Sequence, residues 1–229
     1  MKREDHRVRV AAERRERMRA RLIDAALLVI GERGAEGSVV DEVIRVAGVA
    51  RGTYYNYYRN NDDLLQAVAT EAGNEVLDAV DPDVRGQQDP AARVATGIRL
   101  CLMLARSQPH LGAFLKRAGA YMFGNTDLRD YLLRDITAGI ETGRFRVAEP
   151  QLAFDLVVGP VLAAVNSMQS GKVAAGYVDR LAKGVLMALG IEDADAEALA
   201  FEPLNDPVLP SGSLIERAAA LQICGVKAT

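Results

Sequence analysis

Tryptophan is absent from this chain of 229 residues, histidine and cysteine occur twice each, and aromatic residues make up only 5%. These shortages exclude whole classes of protein. His6 and His110 are too few for a Ser-His-Asp or Cys-His constellation, and His6 sits in a run of charges. No Cys/His spacing suits zinc and no glycine-rich loop could cradle a phosphate, so neither a metal nor a cofactor is expected. Acidic residues are plentiful but spread like surface charge, which leaves an acid-only active site as the one enzymatic reading. Cys101 and Cys224, in a chain whose charged N-terminus lacks the apolar core of an export signal, read as free thiols in a reducing cytoplasm. Apolar runs such as LVVGPVLAAV (Leu156–Val165) fall short of the roughly 20 residues that cross a bilayer, so no membrane partner is expected. Strand alternation of useful length and internal repeats are missing too.

What is present is the composition of a globular protein: 49% hydrophobic, 26% charged, and long enough to bury a substantial core. The net charge of −3 argues against a polyanion partner, but its distribution does not. Residues 1–61 hold 13 Lys/Arg against 9 Asp/Glu, and residues 1–21 hold 9 against 4. A basic head (Lys2, Arg3, Arg7, Arg9, Arg14, Arg15) on an acidic body suggests that the head alone meets nucleic acid. A solvated, charged helix is the plainer reading of the same run.

The apolar periodicity predicts helices almost throughout. Ile23, Ala26, Leu27 and Ile30 give a helix from about Arg14 to Arg33, stopped at Gly34. Ser38 and Asp41 form a capping-box pattern ahead of a short helix with Val40, Val43, Ile44 and Ala47 on its inner face, ended by Gly48. A third short helix is expected over Ala50–Tyr57 and a fourth from about Asp62. DPDVRGQQDP (Asp81–Pro90) reads as a loop. Helical patterns then fill Ala91–Ser107, Pro109–Met122, Thr126–Gly143, Pro150–Ser170 and Ala174–Leu189. From about Gly190 the tail mixes acids and prolines and reads as partly loose, with a last helix over Leu214–Ile223 folding back.

Two short helices around Gly48-Val49 outline a helix-turn-helix, whose second helix enters the major groove of DNA. A wheel on Ala50–Tyr57 gathers Arg51, Gly52, Tyr55 and Asn56 on one side and turns Tyr54 inward. Arginine pairs bidentately with guanine and asparagine with adenine, while hydroxyls and phenols suit phosphates. The candidate DNA contacts are Ser38, Arg51, Gly52, Thr53, Tyr55, Asn56, Tyr57, Arg59 and Asn61. This accounts for four of seven tyrosines lying within five positions: Tyr54 and Tyr58 pack the module while Tyr55 and Tyr57 meet the duplex.

From about Arg17 to Val68 the chain resembles the N-terminal domain of TetR-family bacterial transcriptional regulators. The features that carry it are RERMRARLIDAALLVIGERG, the short helix ending AGV, and RGTYYNYYRNNDDLL. The resemblance implies an all-α protein. Its N-terminal three-helix helix-turn-helix domain (16–62, after a basic arm 1–15) would join a larger helical bundle (63–229) that dimerises and binds an effector. It further implies a homodimer gripping a near-palindromic double-stranded DNA operator, and a small effector that releases it. Three positions depart from the family pattern: Ala50 where Ser or Thr is usual, Asn61 where a basic residue is frequent, and Asp41 where some members read a base with arginine. Asp41 could accept from cytosine N4 or only cap its helix.

The effector site is expected inside the body, with Met103, Arg106, Phe114, Arg117, Tyr121, Met122 and Asn166 as candidates. The dimer face is expected on Leu156, Val157, Pro160, Val161, Ala164, Leu181 and Val185, whose plainer reading is an intramolecular core. A rival account keeps the DNA-binding module but makes the body a protein-interaction unit without an effector.

Overall fold

The computed structural model describes residues 2–34, 39–124 and 126–225, with 2–5, 7 and 222–225 described by backbone alone. Among the described residues every regular element is a helix. Ala, Arg and Glu dominate the first thirty positions and no glycine or proline precedes Gly31, so α1 runs unbroken over Lys2–Arg33. The segment expected as a separate arm is, from Lys2 onward, the first half of this helix. Farther along, α1 buries Leu22, Ile23, Ala26, Leu27 and Ile30, and it stops at Gly34, whose φ of +89° suits glycine.

The second helix, α2 (Val39–Ala47), sits on α1, and the capping role expected of Ser38 lies outside the described residues. Arg21 Nη2 donates to the carbonyl of Ala47 at 2.6 Å and fixes the end of α2. Gly48, at φ +63°, then turns the chain, and the Val49 amide donates to Ile44 O at 3.1 Å while its side chain packs on the core. The third helix, α3 (Arg51–Tyr55), is shorter than the pattern suggests, with Asn56 and Tyr57 continuing it as a turn. Ala50 caps it without a side-chain hydrogen bond, as a residue lacking a hydroxyl must. Asn60 caps α4 (Asn61–Gly86), accepting from the Asp63 amide at 2.8 Å, and the Tyr54 hydroxyl donates to Asn60 O at 3.1 Å.

The body differs from expectation first at Asp81–Pro90. Helix α4 runs through Pro82 because Val80 and Val84 on either side are buried and Arg85 pairs with Asp81 one turn back at 2.6 Å. Then follow α5 (Pro90–Ser107), α6 (Pro109–Met122), α7 (Asp127–Glu141), α8 (Pro150–Gln169) and α9 (Tyr177–Ala188), close to the expected bounds. Helix α5 is central and packs against α4 and α6–α9. By length and composition α8, 20 residues of mean hydropathy 1.4, could cross a bilayer, unlike the shorter run read from the sequence; here it packs on α5, α6, α7 and α9. The tail holds an unexpected helix, α10 (Asp193–Ala200), which buries Ala196 and Ala200 and takes Lys183 on Asp193 and Glu197 at 2.8 and 2.7 Å. The last helix, α11 (Leu214–Gly225), folds back onto α1, α4 and α6. Its first turn is held by the Glu75 carboxylate, which accepts from the Leu214 and Ile215 amides. Arg217 bridges Asp24 of α1 and Glu71 of α4 at 2.9 and 3.0 Å. Burial raises the pKa of both the Asp24 and Glu75 carboxyls.

Candidate nucleic-acid interface and effector cavity

The helix-turn-helix presents one continuous outward edge. Arg51, Gly52, Tyr55, Asn56 and Arg59 are exposed, Thr53 and Tyr57 half-buried, and Asn61 half-buried at the start of α4. Tyr54 and Tyr58 are buried, with burial pushing both phenols up to about 12. Tyr54 takes Tyr55 edge-on at 5.3 Å between ring centres, so the inner tyrosine props up the outer one. Nothing lies within 4 Å of where a Gly52 side chain would start, leaving the backbone of α3 open to close approach. Arg51 Nη1 lies 2.9 Å from Asp41 Oδ1, and the Tyr55 hydroxyl, first, and Asp41, second, raise its pKa. Asp41 also stands in the acidic first turn of α2, where it suits the helix dipole. Beside this edge, Ala11, Arg14, Arg15 and Met18 of α1 form an open groove with Thr53, Asn56 and Tyr57. The Arg15 guanidinium lies 6.0 Å from the centre of the Tyr57 ring. Two arginines of the basic head thus adjoin the α3 surface.

The body contains an apolar cavity of about 70 Å³ between α4, α5, α7 and α8. Val76, Val80, Val94, Ile98, Phe123 and Val157 are among its apolar lining residues. Its polar residues are Asp81, Arg93, Tyr131, Arg134 and Asp135, and all of them are engaged with charge or hydrogen-bond partners. Cys101 also lines it, a free thiol pushed up to about 12 by burial and so protonated and unreactive. None of the seven effector candidates read from the sequence lines this cavity. Phe114 and Met122 are fully buried core, Tyr121 packs half-buried beside them, and Arg117 and Asn166 are exposed. Met103 and Arg106 line a different depression, with Arg99, Met168, Tyr177 and Leu204. The apolar phase of α6 is as its periodicity suggests, but that face is filled by α1, α4 and α8.

Helices α8 and α9 have an outward stripe as well as a buried one. Of the dimer candidates, Val157, Val161, Ala164 and Val185 are buried within the chain, and Leu156, Pro160 and Leu181 are half-exposed. The first four therefore serve the protomer's own core. Leu152, Gly159, Ala163 and Met187 join the half-exposed residues on the outer face, with Leu152 at 50% and Met187 at 45% exposure.

Residues 22–68 match the family described as bacterial regulatory proteins, tetR family, and residues 89–201 match the Tetracyclin repressor-like, C-terminal domain. The chain belongs to the TetR family. The fatty acid metabolism regulator protein of Bacillus subtilis (strain 168) is 32% identical over 156 residues, covering 64% of this chain and 80% of that protein. The structure of RolR with resorcinol aligns with a TM-score of 0.69 at 31% identity, over 86% of this chain and all of RolR. FadR of Bacillus subtilis with stearoyl-CoA shares the fold, with a TM-score of 0.56 at 24% identity over 75% of this chain and 98% of FadR. In this TetR-family chain, α11 lies outside both matched stretches.

The polar residues of the cavity escape the sequence reading. Asp81 falls in a stretch that reads as loop and is helix. Asp135 carries a signal that could have been found: it follows Leu128 and Leu132 at the helical spacing i, i+4, i+7 and so places a carboxylate in the apolar phase of α7.

Proposed function

We propose that this TetR-family regulator is a ligand-responsive repressor, a homodimer that grips a near-palindromic operator and is released by a small apolar or amphipathic effector. The observation that carries the reading is the outward Arg51–Asn56 edge of α3, with Gly52 between them leaving the backbone bare. Arg51, Asn56 and Tyr55 would meet the major groove, while Thr53, Tyr57, Arg59, Arg14 and Arg15 would meet phosphates. Residues 16–62 act as the DNA-reading unit, with the first half of α1 as its basic extension, and residues 63–229 as the effector and dimer unit.

The effector reading rests on the cavity between α4, α5, α7 and α8. RolR is bound to resorcinol and FadR to stearoyl-CoA in their structures, which supports a small-molecule ligand for this chain. Helix α4 both lines the cavity and begins at Asn61, immediately after the reading edge. A ligand that shifts α4 would therefore shift α3. The dimer would form through the outer stripe of α8 and α9, around Leu152, Leu156, Pro160 and Met187, whose exposed apolar surface gains most from a partner. The protein would act in the cytoplasm.

The test is stoichiometry followed by release. Light scattering on the purified chain with duplexes enriched from a random pool should give two chains per site. A small-molecule extract that raises the melting temperature should also dissociate the complex. One chain per site, or stabilisation without release, would refute the dimer and effector parts respectively.

A further inference from the structure

The cavity has a specific chemical shortage. Asp81 Oδ2 takes Arg85 Nε at 2.6 Å, but Asp81 Oδ1 is buried without a hydrogen-bond partner. Buried carboxylate oxygens are almost always satisfied, and an unsatisfied one draws in a donor. The nearby cations already have acceptors. Arg85 Nη2 donates to the Tyr131 hydroxyl at 2.9 Å. Arg134 pairs with Asp135 at 3.0 Å and stacks over the Tyr131 ring at 4.7 Å. Arg93 donates to Gln87 O at 2.8 Å and reaches Asp135 at 3.5 Å.

We infer that the cavity takes a neutral, ring-sized apolar molecule carrying a hydroxyl group that donates to Asp81 Oδ1. The inference rests on the reading of this cavity as the effector site and names the ligand class. An anionic head group would set its own lone pairs against the vacant carboxylate oxygen and would have to displace Asp81 or Asp135 from their arginines. An ammonium ion could donate to Asp81 Oδ1, but it would add a fourth cation where Arg85, Arg93 and Arg134 already outnumber Asp81 and Asp135. A hydroxyl supplies the donor without adding charge, and the valine-rich walls accept the ring. A cavity of roughly 150 Å³ holds benzene, so the space of about 70 Å³ has no room for a long chain and takes a single ring only when its walls move apart.

Four probes of similar size separate the classes: phenol, toluene, benzoate and benzylamine. Calorimetric titration of the full chain without DNA should show phenol binding at least about tenfold more tightly than toluene, since a hydrogen bond to a charged group is among the stronger ones. Benzoate and benzylamine should bind more weakly than toluene. Asp81→Leu should bring the phenol-to-toluene ratio close to one, and Asp81→Asn, which keeps the shape, should reduce it part of the way. Failure of all four to bind, preference for benzoate or benzylamine, or an unchanged ratio in Asp81→Leu would overturn the inference. Phenol that binds with the expected preference but leaves a bound duplex in place would instead refute the effector role and leave the ligand class standing.

Discussion

Asp41 offers a test in which two observables move in opposite directions. In the free protein its carboxylate holds Arg51 at 2.9 Å, with both side chains more than half exposed. If Arg51 reads a base, this ion pair competes with DNA and must break on binding. An exposed ion pair of this kind is worth a factor of roughly two to five in an equilibrium constant. Removing a carboxylate within about a Debye length of the phosphates should add a further factor of about two at physiological salt. Asp41→Asn should therefore tighten operator binding about four- to tenfold. The same substitution removes an acid from the first turn of α2, costing about 0.3–1 kcal/mol of stability, or a melting temperature lower by about 1–3 °C. Fluorescence anisotropy on an enriched duplex and a thermal melt measure both. In an Arg51→Ala background the part of the gain that comes from releasing Arg51 should vanish. Weaker DNA binding by Asp41→Asn would refute the reasoning, because it would mean that Asp41 positions Arg51 in the complex or accepts from a base itself.

The other predictions concern the packing beneath the reading edge and the charges around it. Tyr54→Phe should cost about 1 kcal/mol by leaving Asn60 O without its donor, whereas Tyr58→Phe, which removes a buried hydroxyl without a partner, should be neutral or stabilising in chemical denaturation. Both phenols titrate near 12 folded and near 10 unfolded, so their contribution is complete below pH 10 and lost as pH rises through 12. By pH 11 that amounts to about 1.4 kcal/mol for each tyrosine, and the double Phe variant should have the flatter melting profile between pH 9 and 11. Arg217→Ala strands Asp24 and Glu71 and should cost about 1–3 kcal/mol, with α11 becoming sensitive to limited proteolysis; unchanged protection would mean that apolar packing alone holds it. Removing residues 1–13 should weaken binding to all duplexes alike and reduce the salt slope by about 0.9 for every phosphate that this segment neutralises, and a changed consensus would mean that the segment reads bases.

Local signals make the head legible. Gly34 and Gly48 stop their helices for the reason glycine usually does, and the wheel over Ala50–Tyr57 places Tyr54 inward and Tyr55 outward, as the structure has them. The length of α1 is less legible, because a charged helix with little apolar periodicity looks like an arm until one notes that nothing breaks it before Gly31. Pro82 misleads in the opposite direction: its local preference for a turn is overridden by burial of Val80 and Val84. The cavity is hidden for a deeper reason. Periodicity reports that a face is apolar, not whether its neighbours fill it, so Phe114 and Met122 look like lining and are core, while Asp81 and Asp135 line the space between helices distant in sequence. The stripe proposed for the dimer is blurred likewise, since α8 is apolar on its inner and outer faces and only packing separates Val157 from Leu156.

Affinity selection from random duplexes, run side by side with the wild type, Arg51→Ala and Asn56→Ala, tests the central claim most directly. The account predicts that the wild type enriches an inverted repeat and that each variant loses discrimination at its own base pairs, by roughly ten- to a hundredfold. Wild type and variants enriching the same featureless pool would contradict it.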